Sequence, residues 1–382
     1  MFELFLVAYP WDVPVEHLGE ELDRLRGEVG VTGLSLWVAA PPATQFRAVG
    51  LNPRVLRTRG GVLFQPTERH YAQTRCQPVV SSWSTAGNPP ARISKTCAAH
   101  GMRLRVMVSA SATGRMAERY PEFTCRNAFG DESQTRLCLA NPEVQSYLRG
   151  MVMDLSSNDG VGAITLADVD IRWSDAEAEK LQTAFVCGPI ERSLLATCFC
   201  GSCRERAQSA GVDAEAARQT AEGLLQDAME HGRRRDGSIE DCLAEHAELG
   251  EYRRRQTEEL NSLLRKTKEV CRCELLLERR ADRSGEDAAG GLDLSIPDAV
   301  ITCVDDLDQL SRTAPPGARR NEVRLPAASA VGAAGDRLVG VLPEAAQAGF
   351  AALEVDNYGL LPRAGFATLK RAIRFARRTA AP

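Results

Sequence analysis

The sequence predicts an α/β protein of the (β/α)8 TIM-barrel class. Eight short apolar runs are spread along 382 residues, stretches with helical periodicity separate them, and acidic residues or cysteines stand just beyond several runs. The main competitor, a doubly wound open sheet, usually carries a glycine-rich phosphate turn after its first strand. Here that turn reads YPWDVP. There is no tandem repeat, and residues 1–382 are expected to form one barrel domain.

Residues 2–9 (FELFLVAY) and 33–40 (GLSLWVAA) flank VEHLGEELDRLRGEVG, whose apolar positions recur at helical spacing, and the three together make one βαβ unit. Residues 41–82 break into Pro, Gly and Arg around the apolar island GVLFQP. That is too long for an ordinary connection and is expected to be a functional loop over one barrel end. ARISKTCAAHG predicts a helix closed by Gly101, and RLRVMVSA at 103–110 the third strand. A second long loop, SATGRMAERYPEFTCRNAFGDESQTRLCLA, precedes a strongly periodic helix, NPEVQSYLRGMVMDLSS, with Asn141 as its cap.

The fourth strand is GAITLAD, followed by the cysteine cluster TCFCGSC and a helical insertion over about 204–270. CRCELLLE (271–278), AVITCVDD (299–306), NEVRLPA (321–327) and ALEVDNYG (352–359) supply strands five to eight, and GFATLKRAIRFARR the last helix.

The net charge of -4 argues against nucleic acid or an anionic membrane surface as partner, because counterion-driven binding needs a basic field. No apolar run reaches the roughly 18 residues of a membrane span. The N-terminal run lacks a basic flank and is interrupted by Glu3, so it reads as a strand. Twelve cysteines without an export signal read as reduced thiols plus one metal site, which makes the expected compartment cytoplasmic. The partner expected is a small molecule, and a homo-oligomer is compatible with the pattern.

Alternation along the strands says which side chains enter the barrel. In CRCELLLE the helix-facing set is Cys271, Cys273, Leu275 and Leu277, which turns Arg272, Glu274, Leu276 and Glu278 inward. In ALEVDNY, Glu354, Asp356 and Tyr358 face in, and in the seventh strand Glu322 and Arg324 do. With Arg105 these make an unusually charged lumen, whose deep members are expected to pair with one another. Acids at the C-terminal strand ends stand where this fold keeps its chemistry: Asp168, Glu278, Asp305, Asp306 and Asp356.

Cys198, Cys200 and Cys203 put three thiols within six residues, and they can converge on one metal if a fourth ligand arrives from elsewhere. Cys125 and Cys187 are among the sources of that ligand.

On CFCGSC, on RNAFGDESQTRLCLANPEV at 126–144 and on Asn357-Tyr358-Gly359, the chain resembles glycoside-hydrolase-like (β/α)8 proteins related to the zinc-containing family 42 β-galactosidases. It is most similar to a bacterial group with LCxANPEV and CFCxxC segments. The resemblance implies Cys138 as the fourth ligand of a structural zinc held with Cys198, Cys200 and Cys203. Four soft thiolates suit a closed tetrahedral site. Such proteins end strand four with an inward acid/base glutamate, a position that parity assigns here to Ala167. Retaining relatives keep a nucleophile on strand seven, which here ends in Leu325-Pro326-Ala327 without a carboxylate.

The expectation is therefore a glycosidase-like enzyme acting on a sugar, glycoside or polyol, but not by standard retaining hydrolysis. Asp168 or Asp170 would be one proton-transfer partner, and Glu278 or Asp356 the other. A repurposed isomerase, lyase or cyclase of specialised metabolism would instead use Asp356 and Tyr358. A non-catalytic carbohydrate-binding barrel would use loop aromatics such as Trp173, Trp83 and Tyr71.

Overall fold

In the computed structural model eight parallel strands close on themselves: β1 (Glu3–Ala8), β2 (Gly33–Ala40), β3 (Arg103–Ser109), β4 (Ala163–Ala167), β5 (Glu274–Arg280), β6 (Ala299–Cys303), β7 (Asn321–Pro326) and β8 (Phe350–Asp356). Each pairs with its neighbour in chain order, and β1 pairs with both β2 and β8, which closes the (β/α)8 barrel. The structure describes residues 2–13, 17–48, 53–84, 89–173, 187–232, 235–280, 291–305, 307–309 and 315–379.

The strands form where apolar runs can be covered on both faces. Every residue of β2 is buried, with Leu34, Leu36 and Val38 in the shell beneath the helices and Trp37 in the lumen cluster. The helix Pro142–Ser156 starts as its sequence dictates. Pro142 occupies the first position, where a missing N–H costs nothing, and the Asn141 side chain accepts from the Glu143 N–H at 2.9 Å. The last helix, Arg363–Thr379, buries Phe366, Leu369, Ile373 and Ala376.

Both long segments expected as loops are folded. Residues after β2 form a hairpin, Ala43–Phe46 with Val55–Thr58, and a short strand, Gly61–Val62, antiparallel to β2. Residues after β3 form a helix, Gly114–Arg119, and a hairpin, Thr124–Arg126 with Glu132–Leu137. Pieces of two to six residues are too short to show a period above the noise of a polar stretch.

The helical insertion begins before the cysteine cluster rather than after it. Among the described residues its helices are Pro189–Ala196, Gly201–Ser209, Ala214–His231, Ile239–Glu245 and Ala247–Val270. At the N-terminal side β5 starts at Glu274, so Cys271 and Cys273 precede it. At the other end β8 stops at Asp356, leaving Asn357-Tyr358-Gly359 beyond the strand.

The middle of the lumen is an ion-pair network. Arg105 donates to Glu322 at 2.5 and 3.0 Å and to Glu354 at 3.1 Å. Arg324 donates twice to Glu354, at 2.8 and 2.6 Å, and also to Glu278. Ser35 Oγ adds a bond to Glu354 at 2.6 Å, and the Arg105 guanidinium lies 3.5 Å from the Phe5 ring centroid. Burial opposes the charge on Glu354, yet Arg324 and Arg105 outweigh it and hold the carboxyl below its ordinary range. The inward parity read from strands five, seven and eight is correct for these residues. They form a rigid floor beneath the strand ends.

A carboxylate-lined barrel mouth and a cysteine cluster

Above that floor β4 delivers Asp168. It is the one non-glycine among the described residues with a left-handed backbone, φ +55°, a conformation that costs about 1–2 kcal/mol and persists only where surroundings impose it. They do so here: the Ser111 hydroxyl donates to the Asp168 carbonyl oxygen at 2.6 Å, and the Asp170 N–H donates to the same oxygen at 3.0 Å. The twist lets the carboxylate reach Ser109, whose Oγ is 2.6 Å from Asp168 Oδ2 and 2.8 Å from the Ala112 carbonyl oxygen.

One hydroxyl carries one proton, so Ser109 cannot donate to both. With Asp168 ionised it donates to the carboxylate. With Asp168 protonated, the acid donates to Ser109 and the serine proton turns to Ala112. Burial raises the Asp168 carboxyl above its ordinary range and the charge of Glu278 adds to this, against Arg136 and Ser109. The site thus shifts the carboxyl toward its neutral form while keeping a partner for either form.

Glu278 follows from β5, tied to Arg324, and Asp356 closes β8 opposite Pro326. Burial pushes Asp356 up to about 6; Arg324 opposes the rise and Glu278 contributes to it. Asp168 and Asp356 both feel the Glu278 charge, as expected for three carboxylates at the C-terminal ends of β4, β5 and β8. Ala167 points into the same lumen, packed with Val7, Tyr9, Trp37 and Met107, so parity placed it correctly.

Two other candidates stand elsewhere. Asp170 is gripped by Arg136 of the hairpin after β3, at 2.6 and 2.8 Å, and Arg136 also reaches Asp168 at 3.6 Å. Tyr358 turns away from the lumen: its hydroxyl donates to Glu21 Oε1 at 2.8 Å and its ring packs near Phe366. The inward parity read for Tyr358 fails because β8 ends two residues earlier. Among the remaining readings, Asp305 is exposed and Asp306 lies outside the described residues. Tyr71 is wholly buried and bonded to Asp154, so it is core, and Trp173 packs against the core.

The structure adds residues that sequence reasoning passed over. Tyr9, at the end of β1, stacks on Trp11 at 4.7 Å and Trp37 at 6.0 Å, and Trp83 joins Trp11 at 5.3 Å. Asp12, in the YPWDVP turn, is buried against Arg47 at 3.5 Å and pushed up to about 6 by burial, against the Tyr9 N–H and Arg47. Gly359 permits that approach, since a Cβ there would lie 2.2 Å from Asp12 Oδ1. Cys303 ends β6 in register with Arg280 and Arg324, and burial with the Glu278 charge holds its thiol neutral. Alternation along AVITC could have found Cys303, but nothing local marks Arg136.

At the side of the barrel, Cys138, Cys198, Cys200 and Cys203 are all buried, with ligand atoms within 4.8 Å of one another. Cys138 Sγ is 3.4 Å from Cys203 Sγ and 3.9 Å from Cys198 Sγ. A tetrahedron with metal–sulfur bonds of about 2.3 Å has edges of roughly 3.8 Å, so the cluster could hold a metal ion. Around it the Tyr252 hydroxyl and the Gln256 amide both donate to the Cys198 carbonyl, at 2.8 and 2.7 Å, and Arg206 donates to the Ala140 carbonyl at 2.6 Å. Cys125 is buried beside Cys138 and Cys198, but it and Cys187 are outside the four.

No protein-family model matches the chain, and no curated protein sequence does. Solved structures do match in fold. The glycoside hydrolase domain of PgaB (BpsB) from Bordetella bronchiseptica is 10% identical with a TM-score of 0.58, covering 100% of both chains. A β-galactosidase from the psychrophilic Marinomonas ef1 is 9% identical with a TM-score of 0.56, covering 98% of this chain and 59% of its own. A GH42 β-galactosidase from G. stearothermophilus is 10% identical with a TM-score of 0.54, covering 99% and 57%. The chain therefore spans less than two thirds of the β-galactosidases it matches. At these identities the likeness establishes a barrel shared with glycoside hydrolases. Among the described residues no helix is long and apolar enough to cross a membrane.

Proposed function

We propose that the protein is a glycosidase-like enzyme acting on a sugar, glycoside or polyol-type small molecule through strand-end carboxylates. The observation that supports it most is Asp168: desolvated, twisted toward Ser109, and close enough to Glu278 to feel its charge. In this reading Asp356, with its carboxyl near 6, is the general acid that protonates the departing oxygen as the carbon–oxygen bond breaks. Glu278, paired with Arg324, supplies a carboxylate beside the positive charge that develops on the sugar carbon. Asp168 takes a proton from the attacking water, whose oxygen forms the new bond. Asp170 and Arg136 position Asp168.

Ala167 on β4 and the Leu325-Pro326-Ala327 end of β7 set this apart from standard retaining hydrolysis. The four buried cysteines fit structural zinc, which would clip the β3 and β4 excursions together and leave no open coordination position. An isomerase, lyase or cyclase reading keeps Asp356 but exchanges its hydroxyl partner. Tyr9 is buried at the mouth within reach of the Asp356 and Glu278 charges, whereas Tyr358 is bonded to Glu21.

The test is hydrolysis of a panel of chromogenic glycosides by wild type, Asp168→Asn, Asp356→Asn and Tyr358→Phe. The first two should lose about 10²–10⁴-fold, with Asp356→Asn hurting poor leaving groups more than nitrophenols, while Tyr358→Phe stays near wild type. Turnover indifferent to both Asp168→Asn and Asp356→Asn would remove the assignment.

A further inference from the structure

A groove of about 400 Å³ opens from Asp356 outward, between the hairpin after β2 and the segments that follow β7 and β8. Its walls are Phe46, Pro326, Ala327, Val331, Leu360 and Pro362, with Thr44 and Gln45 supplying a narrow polar edge. Apart from Asp356 no charged side chain among the described residues lines it. Phe46 is 76% exposed, and Val55, its partner across the hairpin, is 50% exposed. An apolar side chain held in water at that position is costly unless something covers it. The hairpin is not loose: the Ala48 N–H donates to the Gly359 carbonyl at 2.8 Å, and Arg47 is buried against Asp12 and the Trp11 carbonyl.

We infer that this groove receives an apolar, uncharged aglycone, so that the substrate is an alkyl or aryl glycoside whose sugar sits at Asp356. The groove is continuous with that carboxylate, which both lines it and faces Glu278 and Arg324. A second sugar ring would ask for a wall of hydroxyl and amide partners, and here the wall is Pro, Ala, Val, Leu and Phe. An anionic leaving group would meet Asp356 with no cation among the lining residues. The volume lies within the range of small-molecule sites, about 300–1,000 Å³. The inference rests on the glycosidase-like reading for the sugar half of the substrate, and on the groove alone for the apolar half.

Calorimetric titration of the full chain with methyl, hexyl and octyl β-D-galactosides and β-D-glucosides, each below its micelle concentration, and with 1-octanol, separates the two halves. Affinity should rise about threefold to fourfold for each methylene the groove buries. Phe46→Ser, at an exposed position, and Ala328→Glu, at the exposed rim, should each flatten that rise, with thermal melting used to confirm that both fold.

A rise shown equally by the alkyl glycosides and octanol, untouched by Asp356→Asn, leaves the groove standing and removes its link to a sugar site. No dependence on chain length, or a dependence that both variants keep, overturns the groove. So does sedimentation showing a wild-type dimer that Phe46→Ser dissociates without any alkyl binding, because the groove would then be covered by a second copy of the chain.

Discussion

Ser109 Oγ lies 2.6 Å from Asp168 Oδ2 and 2.8 Å from the Ala112 carbonyl, with one proton to serve two acceptors. The serine can follow either protonation state of the acid, but it stabilises the ionised one more, because a charge-assisted hydrogen bond is the stronger. Ser109→Ala should therefore raise the Asp168 carboxyl further. In the pH profile of kcat/KM the acidic limb should move to higher pH, where a purely structural loss would lower the profile without moving it.

Asp356 makes stability fall as pH rises. Its carboxyl is near 6 in the fold against an ordinary value near 4, so the folded chain holds this proton more tightly than the unfolded chain does. Its contribution is complete below about pH 4 and is lost as pH climbs through about 6. Asp356→Asn should be more stable than wild type at pH 7 by on the order of 2 kcal/mol and equal to it near pH 4. Urea unfolding at both values checks this, and a variant less stable than wild type at pH 7 would show that Arg324 needs the Asp356 charge more than burial opposes it.

Glu354 is bound by Arg105, Arg324 and Ser35 in the closed centre of the lumen. Glu354→Gln should cost about 3–5 kcal/mol, the usual penalty for leaving buried partners uncompensated. Because its carboxyl is held low, the wild-type contribution is present at neutral pH and fades on acidification, opposite in sign to Asp356. Denaturant midpoints across pH 3–7 for the two variants should show the crossing slopes.

Removal of metal should loosen the protein without addressing the mouth directly. Native mass spectrometry is expected to find one zinc per chain, absent in Cys138→Ser. Strong chelation should lower the melting temperature and expose four thiols to a colorimetric thiol reagent. Purified protein free of metal, with the same melting temperature before and after chelation, would mean that the four cysteines are packed as thiols.

Alternation was the most informative signal along this chain. A strand with period two, buried on both faces, must send Glu322, Arg324 and Glu354 inward once its apolar residues go to the helices. Two adjacent strands then bring Arg324 and Glu354 to one height, with Glu322 two residues below. The same rule failed at Tyr358, because parity holds only while the strand lasts and β8 stops at Asp356. The spacing of Cys198, Cys200 and Cys203 likewise carried its own chemistry, since three thiols on one turn converge whatever surrounds them.

The sequence by itself determined the barrel, the charged lumen and which acids end its strands, because these follow from periodicity along a single strand. Tertiary structure alone decided which acid is desolvated and which is tied down. Arg136 reaches Asp170 across a hairpin, Arg324 joins Glu278 to Glu354 across three strands, and Asp12 meets Gly359 from the opposite end of the chain. Burial and pairing set the working protonation of a carboxylate, and both are properties of neighbours far apart in sequence.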